Sequence, residues 1–154
     1  MSRFAQIQDA PQVVQLLIAF SQECDVGFRQ PREQDHTRLT GVVANWILNH
    51  YVRVIEYQGQ VAGVLIAEKG ADFWDPDRQI LQERAWYVQP HARHTRASAR
   101  LWRDWQKDSD QYLEKQQVHA VLMSTQGHGT EFDVGQRGWR CIEKTWLKEI
   151  EWHS

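Results

Sequence analysis

Two hydrophobic periods divide the chain. At 51–57, Val52, Val54 and Glu56 alternate with Tyr51, Arg53, Ile55 and Tyr57, the period of a strand. Gln58-Gly59 gives a turn signal, and residues 61–67 read as the return strand of a hairpin, with Gly63 marking a bulge or a close approach. Ahead of this hairpin, residues 4–7 predict a short first strand. Asp9 and Gln12 stand at capping-box spacing with Pro11 in the first turn. A helix therefore starts near Ala10 and carries Val13, Val14, Leu16, Leu17 and Phe20. Residues 24–31 read as a loop. Leu39, Val42, Val43, Trp46 and Ile47 then predict a second amphipathic helix ending near Asn49.

Beyond the hairpin, residues 69–78 read as a loop and residues 80–88 as a strand stopped by Pro90. A helix follows from about Thr95 to Lys115, where Ser98, Leu101, Trp102, Trp105, Ser109 and Tyr112 recur at three- and four-residue spacing. Residues 118–123 form an apolar run expected of a strand covered on both faces. Gly127, Gly129, Gly135 and Gly138 leave room for a short helix only, and residues 139–152 close as a long strand or a bent pair. The order β-α-α-β-β-β-α-β-α-β, without repeat or low-complexity linker, describes one α/β domain over residues 1–154, with helices flanking a mixed central sheet.

Composition narrows the function. The 154 residues are 42% hydrophobic and 25% charged, the profile of a compact domain able to bury a sizeable core. The net charge of -2 argues against an extended nucleic acid or an anionic membrane as main partner. No apolar run approaches the roughly 18–20 residues of a membrane span, and the first residues lack the features of a signal peptide. Cys24 and Cys141 are far apart with no metal-ligand spacing, so a cytoplasmic location without a metal is expected. The 8 Trp residues, spread from Trp46 to Trp152, suit a Trp-heavy core and rim better than an aromatic ligand cage. Both a monomer and a homodimer are compatible with this composition.

One segment departs from the average. From Arg84 to Arg103 there are five arginines and two histidines but no acidic residue, and they stand where a strand runs into a helix. The unpaired N–H groups of a helix start favour a phosphate, and arginines in the same turn can pair with its other oxygens. The alternative is a solvated helix face carrying Arg100 and Arg103.

Within that segment, Trp86-Tyr87-Val88-Gln89-Pro90-His91-Ala92-Arg93-His94-Thr95-Arg96-Ala97-Ser98 resembles the central motif of the GNAT superfamily of acetyl-CoA-dependent N-acetyltransferases. There a strand leads into Q/R-x-x-G-x-G/A, which opens a helix and holds the pyrophosphate of coenzyme A on its backbone amides. The resemblance implies that Val88, Arg93, His94, Thr95, Arg96, Ala97 and Ser98 bind the coenzyme. Arg96 and Ser98 replace the family's small residues. The opening strand with Asp9-Ala10, the two early helices, the Gln58-Gly59 hairpin and Gly138-Trp139 also resemble the family's layout.

Such a transfer needs a neutral amine, a polarised thioester carbonyl and a proton for the departing thiolate. By resemblance, Val88 or its neighbour offers the backbone N–H for the carbonyl, and Glu83 is the candidate base. A Glu buried there would have a raised pKa, whereas a salt bridge to Arg84 is the competing reading. The family's general-acid tyrosine corresponds to Val134 here. Tyr87, Ser124, Thr125, His128 and Asp133 are its possible substitutes. Two functions follow: an N-acetyltransferase moving an acetyl group from acetyl-CoA to a primary amine of a small molecule, peptide or protein, or a degenerate GNAT-like binding module.

Overall fold

The computed structural model describes residues 1–24, 35–124 and 138–142. The chain divides into two compact units, Met1–Ser124 and Thr125–Ser154. In the first, elements follow as β1 (Ser2–Phe4), α1 (Ala10–Glu23), α2 (His36–Asn49), β2 (Tyr51–Tyr57), β3 (Gln60–Ala71), β4 (Gln79–Val88), α3 (Arg96–Glu114) and β5 (Ala120–Leu122), with single 3-10 turns at Ile7–Asp9 and Pro90–Ala92. In the second, Gly138 adopts φ +83, in the left-handed region that glycine enters without cost. The short helix and closing strand expected after Ser124 lie outside the described residues.

The five strands form one mixed sheet in sequential order. β1 to β4 are antiparallel neighbours, and β5 joins β4 in parallel after the α3 crossover. Val13, Val14 and Leu16 of α1 and Val43 of α2 pack on Val52, Val54, Val64, Ile66, Ala85 and Tyr87. α3 brings Leu101, Trp102 and Trp105 into the core, with Trp105 fully buried and Trp102 stacked on Trp86 at 5.3 Å. Trp74, in contrast, is exposed.

Three local readings are corrected. The first strand is Ser2–Phe4, and Ile7 already belongs to a 3-10 turn. Asp9 precedes α1 without capping it. Its carboxylate accepts from the Gln6 N–H at 2.7 Å and from both Arg3 guanidinium nitrogens at 2.6 and 3.0 Å, an ion pair that holds its pKa below the usual carboxylate range. β5 is half-buried rather than covered on both faces.

Two bulges interrupt the sheet's register. Between β2 and β3 the register slips at Ile55/Glu56, leaving Ala62 without a partner, and Gln89 N–H donates to its carbonyl at 2.9 Å. Between β3 and β4 it slips again, so that Ile66 pairs with Ala85 and Ala67 with Glu83, and Arg84 is the extra residue. Gly63 serves a close approach: a Cβ there would lie 2.8 Å from the Ile55 side chain and 3.1 Å from the Tyr87 carbonyl oxygen.

Candidate active site

β4 and β5 pair only from Ile80↔Ala120 to Gln82↔Leu122. The next β4 residue is Glu83, and its carboxylate sits where the two strands part, accepting the Ser124 N–H at 3.0 Å through Oε2. Glu83 is 7% exposed. Burial pushes its pKa up to about 7, against the smaller opposing pull of the Ser124 N–H and the Arg84 charge. Arg84 is not its partner: the guanidinium bonds to Glu68 at 2.7 and 2.9 Å. A buried carboxyl with that pKa exchanges its proton near neutrality.

At the end of β4, Pro90 opens a 3-10 turn, and the chain passes through His94, which takes φ +59. Thr95 caps α3: its Oγ1 donates to the Ala92 carbonyl at 2.6 Å and accepts the Ser98 N–H at 3.4 Å. No acidic residue occupies the first turn of α3, and the N–H groups of Arg96 and Ala97 precede the first possible intrahelical acceptor. Arg96, Arg100 and Arg103 line an open groove of about 460 Å³ beside Tyr57 and Gln58 of the β2–β3 turn.

The five arginines of the acid-free segment therefore divide. Arg84 pairs with Glu68, Arg93 with Glu23 and Arg100 with Asp104. Arg96 and Arg103 have no ion-pair partner among the described residues. The free Arg96 guanidinium and two free backbone amides at the start of α3, with the free Arg103 guanidinium two turns further along the groove, are a donor set suited to a diphosphate.

Arg93 is held differently. Its Nε donates to the Val88 carbonyl at 2.8 Å and its NH2 to Glu23 Oε2 at 2.5 Å, with the guanidinium 5.5 Å from the centre of the Tyr87 ring. Tyr87 donates its hydroxyl proton to Glu23 Oε1 at 2.8 Å. Burial, reinforced by Glu23, pushes the phenol pKa up to about 12. Glu23, at the last turn of α1, thus joins two residues that the sequence places far from it. Its spacing from Tyr87 and Arg93 carries no local signal, so sequence reasoning missed it. Asp108 was missed for the same reason. On the buried face of α3, it accepts from the Tyr51 hydroxyl at 2.7 Å and pairs with Arg53 at 2.8 Å.

Glu83 and Ser124 meet at the parting of β4 and β5, while Val88 ends β4, Arg93, His94 and Thr95 lie in the turn that follows it, and Arg96, Ala97 and Ser98 open α3. Thr125, His128, Asp133 and Val134 lie outside the described residues. Among the described residues no cluster of ligating side chains could hold a metal ion, and no helix is long and apolar enough to cross a membrane.

No protein-family model and no curated protein matches the sequence. Solved structures do match, over nearly the full chain. A predicted acetyltransferase with acetyl-CoA from Clostridium acetobutylicum superposes with a TM-score of 0.70 at 12% identity, covering 97% of this chain and 95% of that one. A possible acetyltransferase from Clostridium difficile 630 gives 0.68 at 14% identity, with 97% of each chain covered. A GNAT family acetyltransferase from Staphylococcus aureus gives 0.61 at 11% identity, covering 97% and 98%. The chain has the fold of the GNAT acetyltransferases.

Proposed function

We propose that this protein is an acyl-CoA-dependent N-acyltransferase that moves the acetyl group of acetyl-CoA to a primary amine. The observation that carries the reading is Glu83: a buried carboxyl with a pKa near 7, placed where β4 parts from β5. Acetyl-CoA, as co-substrate, supplies an electrophilic thioester carbonyl. The Arg96 and Ala97 amides, the first turn of α3 and the Arg96 and Arg103 guanidiniums hold its phosphates. The larger side chains in place of the family's glycines keep the backbone donors and add charge.

Glu83, as carboxylate, takes a proton from the acceptor ammonium, directly or through a water, and leaves the amine free to attack. The Val88 N–H polarises the thioester carbonyl, and the Arg93 hydrogen bond to the Val88 carbonyl fixes the adjoining Val88–Gln89 peptide. Tyr87, its hydroxyl donating to Glu23 and its pKa pushed up to about 12, is a poor acid for the thiolate. Solvent returns the proton, and the exposed Ser124 hydroxyl, on the residue whose N–H contacts Glu83, serves as a relay.

Calorimetric titration with acetyl-CoA tests this directly. Binding is expected, with Glu83→Gln lowering turnover while leaving acetyl-CoA affinity within about twofold. No binding at millimolar acetyl-CoA would refute the proposal, and binding without turnover against a broad amine set would identify a coenzyme-binding module instead.

A further inference from the structure

At the end of the sheet away from the α3 turn, β3 and β4 pair out to Ala71 and Gln79, and residues 72–78 join them as a tip. Phe73 and Trp74 stand there 84% and 86% exposed, their rings edge to face at 5.0 Å. Two aromatic side chains offer roughly 300–500 Å² of contact surface, comparable to the largest apolar patch a monomer ordinarily shows.

The loop that carries these rings closes on its own bonds. Asp72 N–H donates to the Arg78 carbonyl at 2.8 Å, Arg78 N–H to the Asp75 carbonyl at 2.9 Å and Asp77 N–H to Asp75 Oδ1 at 3.2 Å. Asp72, Asp75 and Asp77 accompany the rings, and the loop's one cation, Arg78, is already paired with Asp75 at 3.0 Å. Acids beside exposed aromatic faces favour a cationic partner, which gains both Coulomb and cation–π attraction, and repel nucleic acid or anionic lipid.

We propose that the β3–β4 tip docks a lysine- and arginine-rich polypeptide, the chain that carries the amine to be acylated. The second clause rests on the transferase reading, whereas the docking does not. β4 runs from the tip at Gln79 to the phosphate turn beyond Val88, with Glu83 between them. At a strand rise of about 3.3 Å per residue, Glu83 lies roughly 13 Å from Gln79. A small amine cannot touch both places, but an extended peptide spans the gap with about four or five residues. Counted over both partners the rings bury about 600–1,000 Å², below the roughly 1,200 Å² of stable complexes, so the partner leaves readily, as turnover requires.

The test is calorimetric titration of the whole protein with a lysine- and arginine-rich peptide and with its glutamate-substituted counterpart. Wild type is expected to bind the basic peptide only. Phe73→Ser/Trp74→Ser, with both positions in solvent and an unchanged Tm as control, is expected to weaken that binding by about tenfold or more. Asp72→Asn/Asp77→Asn is expected to weaken it and flatten its salt dependence. Equal binding by wild type and the aromatic variant, or none by wild type, overturns the docking. Concentration-dependent self-association lost in the aromatic variant would assign the tip to a second copy and also overturn it. Failure of wild type to bind acetyl-CoA would overturn the transferase reading alone, with the peptide result still standing.

Discussion

Arg93 ties the β4–α3 turn back to the strand before it, its Nε donating to the Val88 carbonyl at 2.8 Å while its NH2 donates to Glu23. Arg93→Ala is expected to weaken acetyl-CoA binding by about tenfold, mainly through loss of turn geometry, with a smaller effect on turnover. Calorimetry and steady-state kinetics separate the two effects.

Glu23→Gln removes the anion facing the Tyr87 hydroxyl. The Tyr87 phenol is then expected to titrate below about 12, closer to its ordinary value near 10, because the anion no longer opposes ionisation. Ultraviolet absorbance of tyrosinate reads this, and Tyr87→Phe assigns the transition. An unchanged titration would mean that Glu23 does not govern Tyr87.

Glu83 couples stability to pH. Its folded pKa of about 7 lies above the ordinary 4.5, so between those values the folded chain keeps a proton that the unfolded chain has released. Stability therefore falls as pH rises across this window and levels off above it. Glu83→Gln is expected to remove the slope, gaining up to about 3 kcal/mol over wild type near pH 8 and nothing near pH 4. Urea unfolding at several pH values measures it. In wild type the same titration predicts turnover rising with pH through about 7, as the carboxylate form appears.

Gly63→Ala is expected to cost about 1–3 kcal/mol, because its methyl would lie 2.8 Å from the Ile55 side chain and 3.1 Å from the Tyr87 carbonyl. A drop in the denaturant midpoint at unchanged slope checks it.

Arg53→Met strands the Asp108 carboxylate, which is 9% exposed and then keeps only the Tyr51 hydroxyl. A loss of about 3–5 kcal/mol is expected, largely recovered in Arg53→Met/Asp108→Leu. Chemical denaturation of the single and double variants tests the recovery.

What the sequence made legible was local. The alternation at 51–57, the Gln58-Gly59 turn and the three- and four-residue spacing on α3 act between neighbours in the chain, and each marks its element. Asp9 shows the limit: its spacing from Gln12 suggests a cap, yet Arg3 competes for the carboxylate and wins by charge. The extra residue at Arg84 is set by pairing with another strand, which no period within β4 reveals. The clustering of arginines around the turn after β4 was legible because they lie within twenty residues of one another without an acid between them. The partition of those arginines was not, since Glu23, Glu68 and Asp104 come from other elements.

The stacked indoles of Trp86 and Trp102, 5.3 Å apart and tilted by 10°, join β4 to α3 across the turn between them. Two chromophores at that separation couple electronically, so the molecule carries its own optical gauge. A shift of α3 against the sheet on ligand binding would change the exciton signal in circular dichroism without any added label.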